Sequence, residues 1–145
     1  MVIVERQALV PHSAAQVYAL VEDVESYPRF LPWCSRADVA FRDAQRTVAT
    51  LHVEYRGVRQ QFTTDNRKRP GEQIELALVR GPFRSLRGEW RFVALAEDAC
   101  RVELSLAYRL GSPLLDRLFG PAFDHIANTF VDAFVRRADA AASRC

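Results

Sequence analysis

Three features of the 145-residue sequence predict an α+β fold. A helix-capping pattern opens a short apolar stretch near the start. Apolar and polar residues then alternate from residue 35 to residue 109. The closing stretch repeats its apolar residues every three or four positions. The expected order is one strand, one or two short helices, about six consecutive antiparallel strands and one long helix laid across the apolar face of the sheet.

Residues 2–9 read as the first strand, ended by Pro11. In "HSAAQ", Ser13 is the N-cap and Gln16, three residues on, completes a capping box. The helix that follows carries Val17, Leu20, Val21 and Val24 at helical spacing, and Pro28 and Pro32 allow only a short second turn beyond it. "YPRFLPWCSRA" is therefore a stiff junction between helix and second strand, with Phe30, Leu31 and Trp33 closing one end of the sheet and Cys34 opening the strand.

The two-residue period then takes over. Leu51, Val53 and Tyr55 share a face, Arg56 and Gly57 turn the chain, and Phe62 continues that face on the return strand. Pro70 and Gly71 mark the next turn, after which Ile74, Leu76 and Leu78 alternate with Glu75 and Ala77. "GPF" at 81–83 reverses the chain again. Leu86, Trp90 and Phe92 then face one way while Arg87, Glu89 and Arg91 face the other. The last strand alternates Val102, Leu104, Leu106 and Tyr108 with Arg101, Glu103 and Ser105. In the closing stretch Leu115, Phe119, Ala122, Ile126, Phe130, Phe134 and Ala138 form one stripe. Pro121 removes a helical hydrogen bond, so a kink or fresh start is expected near Gly120.

The totals exclude several classes. The length is that of one domain, 1–145, and no apolar run approaches the roughly 20 residues that span a bilayer. The N-terminus lacks the basic and apolar regions of a secretory signal. Cys34, Cys100 and Cys145 are odd in number and form no CxxC pair, which argues against a disulfide framework or zinc site and for a reducing cytoplasm. The net charge of +2 leaves partners open. Arginine does recur at Arg56, Arg59, Arg67 and Arg69, with Lys68 the only lysine. Such a group suits phosphate or an acidic lipid surface, although strand faces and hairpin tips are ordinarily charged.

No catalytic constellation emerges. Cys34 has Arg36 nearby but no histidine at a suggestive distance, so a packed thiol is the better reading. His12, His52 and His125 lack metal-ligand spacing and read as surface or rim residues. Glu22, Asp23 and Glu25 cluster at a helix end, where carboxylates are usually solvated. On spacing alone the aromatic residues are core.

"ALVPHSAAQVYALVEDVESYPRFLPWCSRADV", "FTTDNR", "GPFRSLRGEWRF" and "DACRVELSL" resemble, in order and spacing, the coenzyme Q-binding (polyketide cyclase-like, START-like) family, which includes bacterial ribosome association toxins. The resemblance implies a helix-grip fold: a curved antiparallel sheet of about seven strands wrapped around the long C-terminal helix, with two short helices after the first strand and an apolar cavity in between. Pro121 stands where family members usually continue the helix.

The same resemblance implies a ligand site lined by Trp33, Leu51, Val53, Tyr55, Phe62, Leu76, Leu78, Trp90, Phe92, Leu104, Tyr108, Phe123, Ile126 and Phe130, with Trp33 near the entrance. The leading expectation is a non-enzymatic protein that binds ubiquinone or a related isoprenoid lipid in support of respiratory electron transport. It carries no covalent cofactor and no metal, and is cytoplasmic or peripheral at the inner membrane. The alternative is a translation inhibitor that binds the large ribosomal subunit and blocks subunit association, with Arg56, Arg59, Arg67, Lys68 and Arg69 as the rRNA or acidic-surface contact.

Overall fold

The computed structural model describes residues 1–142. Cys145 lies outside the described residues. The seven strands are β1 (Val2–Val10), β2 (Cys34–Arg42), β3 (Arg46–Tyr55), β4 (Val58–Arg69), β5 (Gln73–Arg80), β6 (Phe83–Ala96) and β7 (Ala99–Leu110). They form one antiparallel sheet in the order β1-β7-β6-β5-β4-β3-β2. Helix α1 (Ala14–Glu22) and a 3₁₀ helix (Val24–Arg29) join β1 to β2, and α2 (Pro113–Leu118) and α3 (Gly120–Ala142) follow β7.

Local chemistry sets these boundaries. The amide of Gln16 donates to Ser13 Oγ at 3.1 Å and the amide of Ser13 donates to Gln16 Oε1 at 3.0 Å, closing the capping box. Pro28 sits inside the 3₁₀ helix, and the Tyr27 hydroxyl donates to the Val21 carbonyl, which ties that helix back onto α1. The β3–β4 connection holds Arg56 at φ 49° and Gly57 at φ 81°. Two positive φ values define the tight hairpin turn whose twist matches its strands. The break between α2 and α3 falls at Phe119, and Pro121 lies in the first turn of α3, where its missing N–H costs nothing.

β3 and β7 bury alternate residues along their length, and β6 buries Phe83, Leu86, Trp90 and Phe92. Ile126, Phe134 and Ala138 of α3 are buried, whereas Asp124, Asp132 and Arg136 on its other side are exposed. Between helix and sheet, rings meet edge to face: Phe134 packs against Tyr27, Phe30 and Trp90 at centroid distances of 5.2–5.4 Å, and Phe123 against Phe83 and Tyr108 at 4.7–4.8 Å. No helix among the described residues is long and apolar enough to cross a membrane.

Candidate functional site

An apolar cavity of about 60 Å³ lies between α3 and the inner face of β3–β7. Leu51, Phe62, Leu76, Leu86, Trp90, Leu104 and Leu106 contribute from the sheet, Phe123, Ile126, Ala127 and Phe130 from α3, and Val24 and Tyr27 from the 3₁₀ helix. Its polar lining comes from Thr64 and Asn66 of β4. That volume has room for a few waters, against roughly 300–1,000 Å³ for a typical small-molecule pocket.

Eight of the fourteen residues expected on the sequence line this space: Leu51, Phe62, Leu76, Trp90, Leu104, Phe123, Ile126 and Phe130. The other six do not. Val53, Phe92 and Tyr108 are buried on the inner face but are packing, with Phe92 against Trp90 and Tyr18, and Tyr108 against Phe83 and Phe123. Leu78 is half-buried away from the cavity, and Tyr55 stacks on His125 at 5.0 Å near the hairpin turn. Trp33 is only 3% exposed and meets Phe130 edge to face at 5.6 Å. It is a core residue, not an entrance residue, because the junction's prolines turn outward and leave its ring inside.

Lys68 corrects a second expectation. It is buried, and its Nζ donates to Glu22 Oε1 at 2.9 Å. Thr47 Oγ1 donates to the same oxygen at 3.2 Å, and Arg42 reaches Glu22 at 2.9 Å and Glu25 at 2.7 Å. The Arg42 guanidinium holds the Glu25 carboxyl below its ordinary range. Glu22 is thus a partner in an ion-pair network rather than a solvated end charge. This network closes a small recess of about 20 Å³ that shares Val24, Tyr27, Asn66, Leu76 and Trp90 with the main cavity. The signal was available in the sequence: Lys68 has the same parity along β4 as Phe62, so it must point inward.

The basic group does not form one patch either. Arg56 and Arg59 stand at the hairpin end of β4 and Arg67 and Arg69 at the other, about 30 Å apart by strand geometry. Arg56 stacks over Tyr55, and Arg59 pairs with Glu54 at 3.3 Å. Register explains why sequence proximity misled, since neighbours on a long strand face opposite sides or opposite ends.

The remaining candidates for chemistry are engaged structurally. Cys34 is buried, its Sγ donates to the Arg36 carbonyl at 3.5 Å, and burial pushes the thiol up to about 11. Cys100 is likewise buried, with its thiol also raised. His12 faces Asp139 at 2.7 Å and His52 faces Asp38 at 3.0 Å. Among the described residues no three metal-ligating side chains come together.

A curved antiparallel sheet closed around one long helix, with an apolar cavity between them, defines a helix-grip domain of the START-like class. The chain belongs to the family described as polyketide cyclase / dehydrase and lipid transport, whose model matches residues 10–135. It is 44% identical over 135 residues to the ribosome association toxin RatA of Pseudomonas aeruginosa, covering 93% of this chain and 94% of that one. It is 28% identical over 130 residues to the mitochondrial coenzyme Q-binding protein COQ10 homolog B of Xenopus laevis, covering 87% of this chain and 53% of that one. The crystal structure of TTHA0849 from Thermus thermophilus superposes with a TM-score of 0.83 over 97% of this chain and 99% of that one, at 22% identity.

Proposed function

We propose that this protein acts by association with the ribosome, binding the large subunit and hindering subunit joining. The observation that carries this reading is the 44% identity spread over nearly the full length of a protein named a ribosome association toxin. It reverses the order of the two expectations drawn from the sequence. In this reading the protein works by occupancy, without catalysis, in the cytoplasm. Overproduction in a bacterial host, followed by sucrose-gradient separation of the lysate, provides the test. The expected profile shows fewer joined ribosomes, more free subunits and the protein in the large-subunit fractions. An unchanged profile, with the protein remaining at the top of the gradient, overturns the proposal.

The cavity favours a second reading, in which a hydrophobic ligand such as an isoprenoid quinone is held between sheet and helix. Its support is the apolar lining and the similarity to a coenzyme Q-binding protein. A volume of about 60 Å³ requires the helix and sheet to separate before a quinone ring enters. Organic extraction of the purified protein followed by mass spectrometry checks it. Recovery of a stoichiometric quinone or lipid supports ligand binding, and an empty extract, together with Trp90 fluorescence that added quinone leaves unchanged, rejects it. A respiratory role and contact with the inner membrane belong to this second reading.

A further inference from the structure

Three arginines of one hairpin, Arg80, Arg84 and Arg87, are joined by Arg109 on the outer face of the sheet. Arg80 and Arg84 flank the Gly81–Pro82 turn between β5 and β6. Arg109 of β7 lies opposite Ser85, and Arg87 lies opposite Ala107 on one side and Ala77 on the other. Strands are spaced about 4.8 Å apart and same-face residues about 6.8 Å, so the patch is roughly 10 Å across in each direction. All four side chains are exposed.

Arg87 lines an outer groove with five carboxylates: among the described residues Glu5 and Glu75 form no ion pair, Glu75 accepting from Gln73 at 3.3 Å, and the other three are held by other arginines. Asp65 takes two hydrogen bonds from Arg46, at 2.8 and 2.9 Å, while Glu89 is held by Arg91 and Glu103 by Arg101. Among the described residues none of the four patch arginines forms an ion pair. The turns at the opposite end of the sheet instead expose Asp43, Glu72, Glu97 and Asp98. A net charge of +2 therefore conceals a local cationic face on an otherwise balanced molecule.

We infer that this patch is a phosphate-backbone contact for RNA. Guanidinium forks bind phosphate oxygens bidentately, and four of them on a rigid sheet lose little freedom on binding. No exposed aromatic side chain stands in the patch to insert at a lipid interface. The inference rests on the ribosome-association reading for its partner, large-subunit rRNA, and locates the contact on the outer sheet face rather than at the cavity.

The test compares the wild type with Arg84→Gln/Arg87→Gln/Arg109→Gln, after thermal melting shows both folded. Each is titrated with purified bacterial large subunits, protein-free rRNA and phosphatidylglycerol vesicles across a salt series. With about four phosphate contacts, wild-type affinity for rRNA falls roughly 50-fold between 50 and 200 mM salt, and the variant loses about two units of that log–log slope. If both proteins bind subunits equally, the patch is wrong while ribosome association stands. If the wild type binds no subunits, the ribosome reading fails, and the rRNA titration alone then decides the patch: equal slopes reject it and a reduced slope upholds it. Tighter binding to vesicles than to rRNA, lost in the variant, overturns the assignment to RNA.

Discussion

The two faces of this sheet are built from the same strands and differ in what they leave unsatisfied. On the inner face, aromatic rings from β6, the 3₁₀ helix and α3 fill nearly all the space, leaving about 60 Å³. On the outer face most charges are paired along and across strands, yet four arginines remain uncommitted at one end. A surface with unsatisfied charge can recruit a partner as it stands, whereas a filled interior must first be pried open at the expense of packing. In the ribosome-association reading proposed above, sheet and helix serve as a rigid core and recognition lies on the outside.

If the interior is a core, damage there must appear as lost stability. Phe134 is 1% exposed and touches four rings, so Phe134→Ala should cost about 3–5 kcal/mol in urea unfolding, the largest effect of any single change considered. A loss below about 1 kcal/mol would mean that α3 is not clamped by the sheet. Next in size is Glu22→Gln, which leaves the buried Lys68 ammonium without its carboxylate and should cost about 2–3 kcal/mol. Lys68→Met in the same background should recover part of that loss, because it removes the stranded charge.

The buried thiol gives a pH-dependent version of the same comparison. Its folded pKa is raised to about 11, above the ordinary thiol value near 8.5, so the folded state resists ionisation. The stabilisation is complete below about pH 8 and is lost as pH rises towards 11. Unfolding at pH 10 should therefore show about 1–2 kcal/mol less stability than at pH 7, with a smaller drop in Cys34→Ala. Tyr27 and Tyr108 are also raised by burial and add a loss of the same sign, common to both proteins. Iodoacetamide at pH 8 should leave Cys34 of the folded protein unmodified.

The smallest expected effect is the most discriminating. Ala49 lines the cavity, and Ala49→Val adds two methyl groups where space exists on a strand that tolerates β-branching. Stability should change by less than about 1.5 kcal/mol, read from the midpoint of urea unfolding. Ribosome association should be unchanged, while uptake of any hydrophobic ligand should fall.

The faces differed in legibility as well. The two-residue period from β3 to β7, the capping box at Ser13 and the break near Gly120 placed the elements and the inward sides of the strands, because alternation and capping are local properties of the chain. Depth is not local. Val53, Phe92 and Tyr108 share the inward parity of the cavity residues, and only the position of α3 decides which rings fill space and which border it. The burial of Trp33 against Phe130 of α3 is a property of depth in the same way. Local sequence does not give the outer patch, because Arg109 joins the hairpin arginines Arg80, Arg84 and Arg87 only through the pairing of β6 with β7, whereas Arg67, Lys68 and Arg69 are contiguous in sequence and point to opposite sides of β4.

If recognition lies outside the sheet and not within it, the arginine face sets potency and the cavity does not. This is tested most directly by light scattering of purified bacterial ribosomal subunits as they join, with wild type, Ala49→Val or Arg84→Gln/Arg87→Gln/Arg109→Gln added. Wild type and Ala49→Val should slow joining equally, and the arginine variant should have lost at least tenfold in potency. Full potency in the arginine variant together with loss of inhibition in Ala49→Val would contradict this, and would move the working surface into the cavity.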